Sequence, residues 1–120
     1  MIGRARSGME KELMSLWETC FGDQPGLVRR FFAAWFSPEH CLVYTVGKKI
    51  AAAVYMLPCR MEREGTLYPG HYIYAAATLP AFRGRGFMAC LMEAAALEGV
   101  KRGHVFSAVL PAEKGLYSYY

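Results

Sequence analysis

The sequence predicts one mixed α/β domain: two helices first, then a set of antiparallel strands, then a strand–helix–strand unit. Three observations carry this reading. Apolar residues recur at helical spacing in the first third of the chain. Apolar runs from Cys41 to Leu79 are punctuated by Gly and Pro. A strand, a glycine-and-arginine loop and a helix then follow one another between His71 and Arg102.

Taken in order, Ser7-Gly-Met-Glu10 matches a capping box, with Ser7 as N-cap and Glu10 reaching back to it. Behind it Leu13, Leu16, Trp17, Cys20 and Phe21 line one face of a first helix that ends near Gly22. Asp23-Gln-Pro-Gly26 reads as a turn, and Leu27 to Phe36 as a second, strongly aromatic helix stopped by Ser37-Pro38. Its Phe31, Phe32, Trp35 and Phe36 read as core, a lid over a ligand being the alternative. Cys41 to Val46 and Ile50 to Leu57 form a hairpin around Gly47-Lys-Lys49. Pro58 reads as a break, Cys59 to Glu62 as a continuation, and Arg63-Glu-Gly65 as a turn. Thr66 to Tyr68 is a short strand before Pro69-Gly70. His71 to Leu79 is a buried strand stopped by Pro80. Phe87 to Arg102 is a helix whose end suits Lys101 and Arg102, with Gly103 as cap. Val105 to Leu110 is a further strand closed by Pro111, and Lys114 to Tyr120 opens another helix. The last strand–helix–strand unit calls for a parallel crossover, so the predicted sheet is mixed and flanked by helices.

Composition bounds the class. The chain has 120 residues, enough for a single domain over 1–120 with a real core; 54% are hydrophobic and 20% charged, the balance of a folded protein. A net charge of +4 suits an anionic ligand but is too small and scattered for nucleic acid. No apolar run reaches the roughly 18 residues of a bilayer span, and Met1-Ile-Gly-Arg lacks a secretory apolar region, so no membrane partner is expected. Cys20, Cys41, Cys59 and Cys90 lack a Cys-x-x-Cys pair and read as reduced buried thiols in a cytoplasm. His40, His71 and His104 have no metal-ligand spacing, so no metal is expected.

The chemistry concentrates between Ala77 and Ala89, Ala-Thr-Leu-Pro-Ala-Phe-Arg-Gly-Arg-Gly-Phe-Met-Ala. A strand that feeds a Gly/Arg loop and then a helix N-terminus builds an anion pocket. The first backbone N–H groups of a helix have no internal partner, and the summed peptide dipoles place about half a positive charge there. Gly84 and Gly86 let a phosphate approach with no Cβ in the way. A Walker loop is excluded by the absence of Gly-x-x-x-x-Gly-Lys-Ser/Thr. A dinucleotide fingerprint is formally met by Gly84, Gly86 and Ala89, and a Rossmann-type domain stays an alternative. In that fold, however, the first glycine sits at the strand end, and here Pro80 to Arg83 intervene.

Taken together the chain resembles the GNAT family of acyl-CoA-dependent N-acyltransferases. The family hallmark is Arg/Gln-x-x-Gly-x-Gly/Ala between a central strand and a helix, matched by Arg83, Gly84, Arg85, Gly86, Phe87 and Met88. Met88 stands where the family has a small residue. Leu16-Trp-Glu-Thr-Cys-Phe-Gly-Asp23, Phe36-Ser-Pro-Glu39 and Leu116-Tyr-Ser-Tyr-Tyr120 extend the likeness over nearly the whole chain. The resemblance implies a GNAT-like fold and transfer of an acetyl group from acetyl-CoA, as co-substrate, to a small-molecule or peptide amine. It assigns the pyrophosphate to the amides of Gly84 through Ala89, with Arg83 and Arg85 adding charge. The pantetheine arm is assigned to Ala77, Thr78 and Leu79, with Val109 and Leu110 across a cleft between two splayed strands.

Direct attack of an amine raises two proton problems. An amine of pKa near 10.4 is neutral in about one molecule in a few thousand at pH 7, so a base or water relay must act. The leaving thiolate must also be protonated, a task the resemblance assigns to Tyr120 or, one turn earlier, Tyr117. Glu62, Glu64 and Tyr74 read as solvated-face or core residues, so none is named as base. Cys90 reads as a small apolar helix residue, which disfavours an acyl-cysteine route. The family continues past its late helix with two more strands. Because this sequence ends at Tyr120, the resemblance implies either further chain or an exposed sheet edge covered in a homo-oligomer. The alternative function is a coenzyme A-binding or structural remnant without turnover.

Overall fold

A central five-stranded sheet with helices on both faces organises the computed structural model, which describes residues 1–22 and 24–109. The strands are β1 (Ile2–Arg4), β2 (Cys41–Val46), β3 (Lys49–Arg63), β4 (Thr66–Thr78) and β5 (Phe106–Val109), lying side by side in that order. β1 to β4 are antiparallel, and β4 and β5 are parallel, so the sheet is mixed as the sequence predicts. The helices are α1 (Glu10–Phe21), α2 (Pro25–Trp35) and α3 (Phe87–Lys101).

Alternation along β3 divides the core into two layers. Ala53 and Tyr55 point to one face and join Leu13, Leu16 and Trp17 of α1 with Val28 and Phe32 of α2. Ala52, Val54 and Met56 point to the other and join Leu91 and Ala95 of α3 with Ile73 of β4. α3 stops where it should. Gly103 (φ +79°) donates its N–H to the Val100 carbonyl, and His104 donates to that of Gly99, the two bonds of a Schellman cap.

Several local expectations are corrected. Ser7 does not cap α1: the helix starts at Glu10, no side chain caps Met9, and Glu10 Oε2 instead accepts the Gly8 N–H at 2.9 Å. Pro58 does not break β3, and Pro69-Gly70 does not separate two strands. β3 and β4 run as one long hairpin, closed at Glu64-Gly65, where both residues have positive φ as a type I′ turn requires. β2 stops opposite Tyr55, so Pro58 lies where β3 has a neighbour on one side only, a position that tolerates a missing N–H. The short edge strand β1 was not anticipated. It is exposed throughout, contains Gly3 and Arg4, and is held by backbone pairing to Leu42–Tyr44 and by the terminal ammonium on the Thr45 carbonyl at 2.7 Å. Trp35 is not core, being 68% exposed, while Phe32 is buried. Of the four free thiols only Cys41 is buried, its pKa raised by desolvation to about 12; Cys90 is exposed.

Where β4 meets β5, His71 is 2% exposed, and its Nδ1 lies 3.0 Å from Nδ1 of His104. One ring donates and the other accepts, and His71 Nε2 is buried without a partner among the described residues. Burial, then the nearby His104 and Arg102, lowers the pKa of His71 below its ordinary 6.5. The folded state therefore binds fewer protons than the unfolded one. Stability is complete above about pH 6.5 and is lost as pH falls through that value, by up to about 1.4 kcal/mol per pH unit for one proton. Urea titrations at pH 7.5 and pH 5.0 should show this loss, and His71→Leu should reduce it, leaving the share of His40, whose pKa burial also lowers. An equal slope in the variant would remove His71 as its source.

Candidate functional site

β5 runs beside the first part of β4 as its parallel neighbour. β5 is in register with Gly70 to Ile73, and Val109, the last described residue, pairs with Ile73 instead of facing it across an opening. Beyond Ile73 the outer edge of β4 has no strand partner among the described residues. Immediately there the register against β3 shifts: Tyr55 opposes Tyr74 and Ala53 opposes Ala77, so Ala75 and Ala76 oppose Val54 alone. Ala75 sits at φ +49°, a left-handed conformation that costs a residue with a Cβ about 1–2 kcal/mol. Such a bulge re-aims the strand end.

The strand end is tied from three sides. The Leu79 N–H donates to the Ala51 carbonyl at 2.8 Å, so Leu79 faces β3. Ala52 and Thr78 are then a pair that does not exchange hydrogen bonds, and Thr78 turns its own N–H and C=O away from β3. The Thr78 carbonyl accepts from Arg83 Nε at 2.9 Å and from the Cys20 thiol at 3.3 Å, while its N–H has no acceptor among the described residues. Ala77 is buried and opposes Ala53.

After a 3₁₀ turn at Pro80–Phe82, the loop reaches Gly84 (φ +79°) and Gly86 (φ +78°), the latter standing as N-cap of α3. Both glycines are required by backbone conformation, and a Cβ on either would meet nothing within 4 Å. The first helical bond here is Cys90 N–H to the Gly86 carbonyl. The N–H groups of Phe87, Met88 and Ala89 have no backbone acceptor among the described residues, and no side chain caps them. The first turn carries no acid. Arg83 is pinned to Thr78, and the Arg85 guanidinium lies 5.4 Å from the centre of the Phe82 ring, so both arginines have intramolecular partners while staying exposed. The helix start is anchored by Phe87, stacked on Tyr44 at 4.1 Å and 13°. Met88 turns inward onto the α3-side core and leaves the loop clear.

The structure thus brings Thr78, Arg83, Gly84, Arg85, Gly86, Phe87, Met88 and Ala89 to one end of the sheet. Tyr117, Tyr120 and Leu110 lie outside the described residues. Among the described residues, no group of three His, Cys, Asp or Glu could hold a metal ion, and no helix is long and apolar enough to cross a membrane. Two features escaped the sequence reading. The Ala75 bulge has no signal, because alanine is not a left-handed residue by preference. The cluster of Trp17, Phe31 and Tyr74 forms only when α1 and α2 dock beside it.

A parallel β4–β5 pair whose first strand runs into a glycine-arginine turn and then a helix places the chain in the class of N-acetyltransferase folds. The family follows from comparison with known proteins: the chain belongs to the GNAT acetyltransferases, whose acetyltransferase (GNAT) domain model matches residues 2–120. Among solved structures it is similar to a GCN5-related N-acetyltransferase from Anabaena variabilis (23% identity, TM-score 0.87, covering 99% of this chain and 30% of that one). It is also similar to a probable N-acyltransferase from Enterococcus faecalis (20% identity, TM-score 0.86, covering 100% and 31%). An aminoglycoside antibiotic 6′-N-acetyltransferase from Acinetobacter haemolyticus aligns over 99% of this chain and 84% of its own, at 16% identity and a TM-score of 0.78. The chain therefore spans about a third of the length of the first two and most of the third. No curated protein matches the sequence.

Proposed function

We propose that the chain is an acyl-CoA-dependent N-acyltransferase that uses acetyl-CoA and a small-molecule or peptide amine. The observation that carries this is the α3 N-terminus, with three amides that lack acceptors among the described residues behind two positive-φ glycines, set directly after the end of β4. These residues fit the donor. A diphosphate needs convergent N–H donors and a positive end of a helix dipole, and the Cβ positions of Gly84 and Gly86 are open.

Acetyl-CoA supplies an activated acyl group: the amine nitrogen bonds to the thioester carbonyl carbon, the carbon–sulfur bond breaks, and the sulfur leaves as a thiolate that takes up a proton. The chain's own groups divide the remaining work. The amides of residues 87–89 hold phosphate. Arg83 and Arg85 add positive potential while fixing the loop to Thr78 and Phe82. The Thr78 N–H, turned away from β3, donates to the carbonyl of an extended amide laid along it. A backbone N–H at the strand end stabilises negative charge on the thioester carbonyl oxygen. Tyr120 or Tyr117 protonates the thiolate, the acceptor amine loses its proton to a water relay, and the protein works in the cytoplasm.

Titration calorimetry with coenzyme A, paired with acetyl-CoA consumption across an amine panel, tests this. Saturable binding with turnover is expected. Binding without turnover would favour the reading as a coenzyme A-binding remnant, and no binding would end both.

A further inference from the structure

Resting on the N-acyltransferase reading, we propose that the acceptor is an amine carried on an aromatic or similarly flat apolar group, recognised by a shelf of Phe31, Tyr72 and Tyr74. α3 lies on one face of the sheet; α1 and α2 lie on the other. A donor whose phosphates sit at the α3 N-terminus occupies the first face, so the amine approaches the end of β4 from the second. What that second face offers beside the Ala75 bulge is aromatic. Tyr74 opposes Tyr55 and Tyr72 opposes Leu57, which puts both rings on the α1/α2 side. Phe31 stacks on Tyr74 at 5.4 Å and 24°, and Tyr72 lies 6.0 Å from Tyr74 at 40°.

This is not sealed core. Tyr74 is 38% exposed, and Phe31 and Tyr72 are half-buried, so part of each side chain's surface remains open to a ligand. Neither phenol hydroxyl bonds to a described residue, which leaves two polar handles at the rim. A polycationic acceptor needs carboxylates to pair its ammonium groups. The shelf rings carry no carboxylate contact among the described residues, and α2 contains no acidic residue. Offset stacking on such rings adds affinity beyond area burial alone, and flat aryl groups gain it where alkyl chains do not.

The test compares 2-phenylethylamine and tryptamine with n-hexylamine and kanamycin as acceptors for acetyl-CoA, together with equilibrium binding of 2-phenylethylamine to the coenzyme A-loaded protein by ligand-observed NMR. The aryl amines should show at least about tenfold higher kcat/KM than hexylamine or kanamycin. Tyr74→Ala, and Tyr74→Leu as a form that keeps apolar volume, should raise KM for the aryl amines about five- to tenfold and leave coenzyme A affinity alone. Equal or better use of hexylamine or kanamycin, or no binding of 2-phenylethylamine, would overturn the proposal. Loss of coenzyme A binding itself counts against the donor site and is read separately, by calorimetry.

Discussion

Gly86→Glu should weaken coenzyme A binding by at least about 100-fold while the chain still folds. Gly86 is the N-cap of α3 with φ +78°, and its Cβ direction points into space within which the protein places no atom for 4 Å. Any side chain there pays about 1–2 kcal/mol for the left-handed backbone. Gly86→Ala carries that same cost and is therefore the control. The glutamate adds a negative charge at the positive end of the helix, where it satisfies the amides of residues 87–89 itself and repels phosphate. A hundredfold loss corresponds to about 2.8 kcal/mol, beyond what strain shared by both variants produces. Calorimetry on wild type, Gly86→Ala and Gly86→Glu separates the two effects. If the glutamate variant binds coenzyme A as well as the alanine variant does, the diphosphate is held elsewhere.

The conformation of the loop was legible because it is written in backbone chemistry. Glycines that need positive φ, a helix start without a capping side chain and a helix stop at Gly103 all leave signatures in residue type. The same holds for the hairpin turn at Gly47-Lys48 and the turn at Glu64-Gly65. What stayed hidden depends on neighbours. Pro58 and Pro69 read as strand breaks because proline removes a donor, yet each lies where β3 or β4 lacks a strand on one side in the ladder. β1 carries no apolar alternation and is a strand only because β2 offers it an edge. The bulge at Ala75 is imposed by the register on both sides of it. The shelf depended on the one distinction the aromatic helix could not make from sequence: Phe32 is buried, Phe31 is shared between core and shelf, and Trp35 is exposed.

Trp17→Ala should lower the unfolding free energy by about 3–5 kcal/mol, a large share of the roughly 5–15 kcal/mol available to a domain. Trp17 is 4% exposed and holds rings from four elements: Phe31 at 4.8 Å, Tyr55 and Tyr74 at 5.6 Å, Phe32 at 6.1 Å and Phe21 at 6.4 Å. Its removal opens a cavity that rigid neighbours fill poorly, because Tyr55 is fixed by β3 and Phe31 and Phe32 by α2. Trp17→Phe keeps an aromatic surface and should cost less than half as much. Urea denaturation at pH 7.5 measures both. The two core layers meet different faces of the sheet, so the damage should divide unevenly between the substrates. In the folded alanine variant, affinity for 2-phenylethylamine should fall with the loosened Tyr74 ring, while coenzyme A affinity, set by the loop and by α3 on the opposite face, should stay within about twofold of wild type. A parallel fall in both would mean that the sheet transmits disorder from one layer to the other, and that the amine and donor sites are not separately built.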